Sequence, residues 1–180
     1  MKMAVFMILA MVFLFGCSTY MSPRYSIEPD NTVALRNLSV GDIGVAAFTG
    51  PSEFSSSCRG GGPIAPPDGI TFAEYFRQAL ADELKVAGLY NDKTPKVTLT
   101  GTIDTLNFST NKGITGGEWN ISITLTSSNG KSMVSSEHYE FNAGFVGETA
   151  CKQTAEAFMY VVQNLIGKVI KSDEFKGLLA

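Results

Sequence analysis

Between residues 119 and 126 the chain alternates without a break. Trp119, Ile121, Ile123 and Leu125 fall on one side, and Asn120, Ser122, Thr124 and Thr126 on the other. Successive side chains of a strand point to opposite faces, so this pattern specifies a strand with one buried and one wet face. Asn129-Gly130 follows, a pair suited to the positive φ angles of a tight hairpin turn, and 132–141 is expected to pair back with Tyr139 and Phe141 inward. Upstream, 96–108 repeats the pattern, with Val97, Leu99 and Ile103 against Thr98, Thr100, Thr102 and Asp104. A meander with one apolar face cannot stand alone; something must cover that face.

Two helical patterns supply the cover. In 71–87, Phe72, Phe76, Ala79, Leu80, Leu84 and Ala87 share a face. Thr71 and Glu74 read as a reciprocal capping box, and Gly88 as the left-handed residue that closes the helix. In 149–171 the stripe is Cys151, Ala155, Phe158, Val162, Leu165, Ile166 and Val169, and 173–179 reads as a short terminal turn. A further strand is expected over 40–48, apolar on both faces as in an interior strand. The order β-α-β-β-β-α predicts an α+β fold: a two-layer sandwich, with a mostly antiparallel four-stranded sheet and two helices packed on one face. The stretch 50–70 reads as a long, flexible surface loop. Its Gly60, Gly61 and Gly62 are followed by Pro63, where a phosphate-binding loop needs Lys and then Ser or Thr at a helix start.

The 180 residues suit one domain. A net charge of −3 argues against a nucleic-acid partner, since neutralising phosphates takes a basic surface. Charged residues make up only 17%, and one reason lies at the N-terminus. MKMAVFMILAMVFLFGC has a positive Lys2, a short apolar run and a small residue before a cysteine, the layout of a secretory signal. The run is shorter than the ~20 residues a membrane span needs. It resembles a lipoprotein signal peptide: Leu14, Gly16 and Cys17 match the lipobox, and Phe15 is larger than the residue usual there. The alternative is an uncleaved helix or an ordinary signal with a chance cysteine. The resemblance implies a diacylglycerol thioether on Cys17 and acylation of its amine, more than one chain being needed for durable anchoring. Ser18, not Asp, after the cysteine implies the outer membrane. The expected organisation is a signal peptide over 1–16, lipidated Cys17 and a flexible tether over 17–31, and a periplasm-facing domain over 32–180. Pro23 and Pro29 and the lack of apolar periodicity suggest the tether, able to reach roughly 40 Å at about 3.1 Å per residue.

No catalytic constellation emerges from the residues. His138 is the sole histidine. Glu140 shares its face, whereas Glu137 and Tyr139 point away. HExxH, GxSxG and CxxC are all lacking, so no metal, cofactor or catalytic residue is assigned. Cys58 and Cys151 remain after Cys17 is lipidated. A disulfide between them is expected in an exported domain, with two free thiols as the rival reading. The Thr, Ser and Asn face of the meander is either a docking surface or ordinary solvated sheet.

The stretches FAEYFRQALADELKVAGLY, VTLTGTIDTLNF, GEWNISITLTSSNG and CKQTAEAFMYVVQNLIGKVI set out a layout that resembles small Gram-negative outer-membrane lipoproteins, among them the YajG-like lipoproteins and the auxiliary lipoproteins of ABC-type lipid transporters. The likeness is one of layout and spans about residues 40–178; the long loop carrying Cys58 departs from it. It brings no catalytic motif. It implies a non-enzymatic binding or scaffolding module held to the membrane by its N-terminal lipid, with an envelope protein as partner. The alternative is an accessory subunit of an ABC-type lipid or solute transport system, which predicts a hydrophobic groove between helix and sheet.

Overall fold

The computed structural model of the chain describes residues 18–38, 40–51 and 53–180. Along it run β1 (Tyr20–Met21), α1 (Pro29–Arg36), β2 (Ile43–Thr49), β3 (Ser57–Cys58), β4 (Gly62–Ala65), α2 (Phe72–Ala87), β5 (Val97–Lys112), β6 (Gly116–Ser127), β7 (Ser132–Asn142), α3 (Gly147–Lys171) and α4 (Asp173–Leu179), with a 3-10 turn at Pro67–Gly69. The main sheet has the order β2-β5-β6-β7. β2 is parallel to β5 and the other neighbours are antiparallel. Trp119, Ile121, Ile123 and Leu125 are buried on one face as their alternation requires, and α2 and α3 lie on that face. The chain is therefore α+β, with the helix-on-sheet layering that the sequence implies.

The core is aromatic at its centre. Phe158 of α3 meets Phe72 and Phe76 of α2 and Trp119 of β6 at ring-centroid distances of 5.0, 5.9 and 5.0 Å. The Trp119 indole N–H, buried with its ring, donates to the Thr154 carbonyl at 2.9 Å, which ties β6 to α3. α2 begins where expected: the Thr71 hydroxyl accepts the Glu74 N–H at 3.1 Å, and Gly88 closes the helix with φ 80°. The box is only half made, however. The Glu74 carboxylate turns outward to Arg77 and Gln78, where charge-assisted bonds of 2.6–2.8 Å outcompete a neutral backbone donor.

Two phase slips adapt the strands to the helices. The register of β5 against β6 shifts between Ile103 and Thr105, leaving Asp104 and Thr105 both exposed and returning Leu106 to the buried face. β2 lies at the sheet edge, correcting the expectation of an interior strand. Its two apolar faces are explained by a register shift between Val45 and Phe48, which puts both residues into the core. The Phe48 ring crosses directly over Gly101, where a Cβ would collide with it.

The N-terminal stretch departs most from expectation. Residues 18–31 were expected as a tether, yet from Ser18 onward they are folded onto the domain. Tyr20 and Met21 pair in parallel with Ile64 and Ala65 of β4. The chain then crosses the outer side of the helix layer. The Tyr75 hydroxyl donates to the Pro23 carbonyl at 2.9 Å, and the Gln163 amide to the Ser26 carbonyl at 2.7 Å. Beyond them α1 buries Asn31 and Leu35. Burial of polar groups against specific partners holds this arm, so apolar periodicity does not report it. The supposed flexible loop over 50–70 is also ordered: β3 and β4 form a hairpin there, and with β1 they make a second, three-stranded sheet.

Candidate functional site

Cys17 lies outside the described residues, so the lipidation site carries no geometry of its own. The two other cysteines expected to matter are brought together. Cys58 of β3 and Cys151 in the first turns of α3 form a disulfide, with Cα atoms 5.8 Å apart and both residues buried. The next residue, Arg59, extends the clasp. Its guanidinium donates to the Thr110 hydroxyl at 2.8 Å, to the Thr110 carbonyl, and to the Phe145 carbonyl at 3.0 Å. Together these contacts fix the β3–β4 hairpin to β5 and to the loop before α3.

The triple glycine has its physical reason here. Gly62 sits at φ 142°, and a Cβ on it would overlap the Ser18 carbonyl oxygen; one on Gly61 would come within 3.0 Å of the Tyr20 hydroxyl. The glycines admit the incoming N-terminal strand. One end of the molecule thus gathers the disulfide, Arg59, the turn between β5 and β6, the loop before α3 and the point where the described chain begins.

The outer face of the sheet is the second candidate surface. Thr98, Thr100, Thr102, Asn120, Ser122, Thr124 and Ser136 occupy it, and no helix of the described residues lies over them. His138 lies on this face with Glu140 beside it, as expected, and the β6–β7 register brings Glu118 opposite Glu140. His138 Nδ1 lies 2.7 Å from the Asn120 amide oxygen and Nε2 lies 2.9 Å from Glu140 Oε1. One ligand atom from each of Glu118, His138 and Glu140 falls within 4.8 Å of the others, a grouping that sequence alone could not assemble because Glu118 is on another strand. The Lys112 ammonium sits among them, 3.1 Å from Glu118 and paired with Glu140. Its hydrogen bonds to Glu140, then to Glu118, raise the Lys112 pKa, and Lys112 followed by His138 lowers that of Glu140. The cluster is a solvated ion-pair network in which a lysine holds the position a cation would need.

The helix side carries polar groups that the sequence reading missed. Glu83 is fully buried, and one carboxylate oxygen accepts from the Tyr25 hydroxyl at 2.7 Å, the Glu28 N–H at 3.0 Å and the Asn31 amide at 3.1 Å. Burial, then the bond to Glu83, pushes the Tyr25 phenol far above its ordinary range. The signal was present: Glu83 stands four residues after Ala79 and four before Ala87 on the apolar face of α2. Nearby, Glu137 is buried and bonded to the Asn164 amide at 3.1 Å and ion-paired with Lys168. It lines a concavity of about 630 Å³ with Asn31, Tyr160 and Gln163. An apolar cleft of about 520 Å³ opens at the other side of the helix layer, lined by Phe48, Pro51, Phe54, Phe72 and Leu106. No helix of the described residues is long and apolar enough to cross a membrane.

The sequence matches no family model and no curated protein. Among solved structures the chain is similar to protein XCC0632 of Xanthomonas campestris, assigned to the DUF330 family, with a TM-score of 0.53 at 10% identity over 89% of this chain and 96% of that one. A candidate lipoprotein from Caulobacter crescentus CB15 superposes with a TM-score of 0.43 at 13% identity, covering 83% of this chain and 96% of its own. The hypothetical protein CT253 of Chlamydia trachomatis gives 0.43 at 9% identity, covering 79% and 99%. At these identities the likeness to the Xanthomonas protein is one of fold.

Proposed function

We propose that the chain is a lipid-anchored protein of the bacterial cell envelope, and that its domain works by binding or scaffolding other envelope components rather than by catalysis. The observation that carries this reading is the junction of signal and fold. The apolar leader ends at Cys17, the next residue lies against Gly62, and that hairpin is bridged by Cys58–Cys151. A buried disulfide suits an oxidising, exported compartment, which is where such a leader would deliver the domain. Ser18 after the cysteine favours the outer membrane, with the domain in the periplasm. The uncovered sheet face, polar and weakly charged, is the surface offered to a protein partner. A non-catalytic role fits the engagement of Glu83, Glu137 and His138 with fixed neighbours, none of which is an activated nucleophile.

Labelled palmitate should enter the wild-type protein and not Cys17→Ala; label persisting in the variant would overturn the anchor. A photo-crosslinker at Ser122 on the sheet face should capture an envelope protein in intact cells, and one at Val86 on the helix side should not. Equal capture from both positions would remove the sheet face as the docking surface.

A second reading, an accessory subunit of an ABC-type lipid or solute transporter, is favoured by the apolar cleft of Phe48, Phe54, Phe72 and Leu106, because that reading requires an apolar groove at the helix–sheet boundary. Phospholipid extracted from purified protein, and lost in Leu106→Asp, would select it over the first.

A further inference from the structure

We infer that the end of the domain bearing Ile114, Phe145 and Val146 is a membrane-contacting face that seats the domain directly on the lipid bilayer. The inference rests on the anchoring of Cys17 proposed above. Its observations lie elsewhere in the fold.

Large apolar side chains are exposed at two neighbouring loops. Ile114, in the β5–β6 turn, is 79% exposed; Phe145 and Val146, before α3, are 77% and 64% exposed. The Ala143 N–H donates to the Thr115 carbonyl at 2.7 Å, so the two loops are joined at one edge of the molecule. Neither 113–115 (GIT) nor 143–146 (AGFV) contains a charged residue. The loops at the opposite end of the same sheet are different in kind: 91–96 reads NDKTPK and 128–131 reads SNGK. A cluster of exposed large apolar side chains marks a site of contact with protein or membrane, and an aromatic ring beside aliphatic tips suits the interfacial zone of a bilayer.

What selects the membrane is where the chain enters. Ser18 lies against Gly62, Gly62 pairs with Cys58, and Arg59 holds the Phe145 carbonyl. The entry point and the apolar loops are thus linked through one hairpin at the same end of the molecule. Ser18, the residue next to the proposed anchor, is itself packed against this hairpin. Acyl chains on Cys17 would therefore enter the bilayer beside Ile114, Phe145 and Val146. The uncovered sheet face and its partner would stand at right angles to the membrane plane, not at the end of a tether.

The test uses the full-length acylated protein in phosphatidylethanolamine–phosphatidylglycerol vesicles, with and without lipids brominated in the acyl chains. Phe145→Trp adds an indole at the proposed face, Ile114→Trp adds a second, and Val134→Trp places a control on the exposed sheet face; native Trp119 is buried and gives a constant background. The expected result is a blue shift and strong quenching by brominated lipid for the first two variants, and neither for the control. A protein that takes up labelled palmitate and floats with the vesicles, but whose indoles at 114 and 145 are not quenched, overturns the membrane face and leaves the anchor intact. An unquenched but blue-shifted indole assigns the patch to a protein partner and overturns it equally. Failure to incorporate palmitate overturns the anchor and the inference together.

Discussion

Consider Cys58→Ala combined with Cys151→Ala. The bridge joins residues 93 apart in sequence. Closing a loop of that length in the unfolded chain lowers its entropy by an amount worth about 4.7 kcal/mol at 25 °C. Both half-cystines are at most 1% exposed, so the lost sulfur contacts add to that figure. For a chain of this size each kcal/mol moves the melting temperature by roughly 2–4 °C, giving an expected drop of roughly 10–18 °C. The entropic gain acts on global stability only if the β3–β4 hairpin unfolds with the rest. Arg59 ties that hairpin to Thr110 and Phe145, so the cooperative outcome is expected. Urea unfolding of the purified variant and wild type, followed by tryptophan fluorescence of the buried Trp119, measures the difference. Hydrogen exchange read at Tyr20–Met21 and Gly62–Ala65 separates local fraying from global loss. A stability loss under about 1 kcal/mol, with fast exchange confined to those two strands, would refute the reasoning: the hairpin would be an independent flap and the bridge a local staple.

Three other outcomes follow from the geometry. Glu83→Leu strips the Tyr25 hydroxyl, the Glu28 N–H and the Asn31 amide of their common acceptor; at about 1–3 kcal/mol for a stranded buried group and less for the two part-buried ones, it should lose about 3 kcal/mol in urea unfolding, while the half-buried neighbour Asp82→Ala should stay within about 0.5 kcal/mol. Gly101→Ala should cost about 1–3 kcal/mol by lifting the Phe48 ring, whereas Gly41→Ala, with nothing nearby, should not; equal melting temperatures would contradict the close approach. Stability should fall in acid and in alkali. Glu74 beside Arg77, Asp42 beside Asn91 and Lys96, and Glu140 beside Lys112 all have lowered pKa values, so their contribution is present above the ordinary carboxylate values of 3.8–4.5 and is lost as pH falls through the folded ones. Tyr25 is raised by burial, so its contribution is full below its ordinary 10.0 and is lost above that, and Tyr25→Phe should flatten the alkaline limb of a pH–melting curve.

What could be read in advance follows from where each element gets its stability. The β6 strand was legible because Trp119, Ile121, Ile123 and Leu125 meet the core through side-chain period alone. The ends of α2 were legible because Thr71 and Gly88 act on their own backbone. The arm over 22–36 was not, since Pro23, Ser26 and Asn31 gain their places from Tyr75, Gln163 and Glu83, well over 40 residues away, and nothing local distinguishes them from a linker. β2 was found but put inside the sheet, because a bulge that turns both apolar sets inward imitates a strand buried on two faces. Of the candidate site, the disulfide partners were legible by count and compartment. The apolar loop tips were visible as letters but not as neighbours, because only the sheet register brings Ile114 and Phe145 to one edge.

The mixed connectivity of the main sheet also dictates an order of assembly. β5, β6 and β7 are joined by turns of three and four residues and pair along most of their lengths, so they can zip on the scale of about 1–10 μs typical of hairpins. β2 pairs in parallel with β5, and Ile43 must find Val97 across an intervening helix; such closure is slower because entropy is lost before the contact rewards it. β1 must close a span of the same order, since Tyr20 has to find Ile64 in the hairpin that the disulfide clasps. The segment next to the proposed anchor would thus be among the last to dock, and until it does the domain would remain free to turn above the surface on which it finally rests.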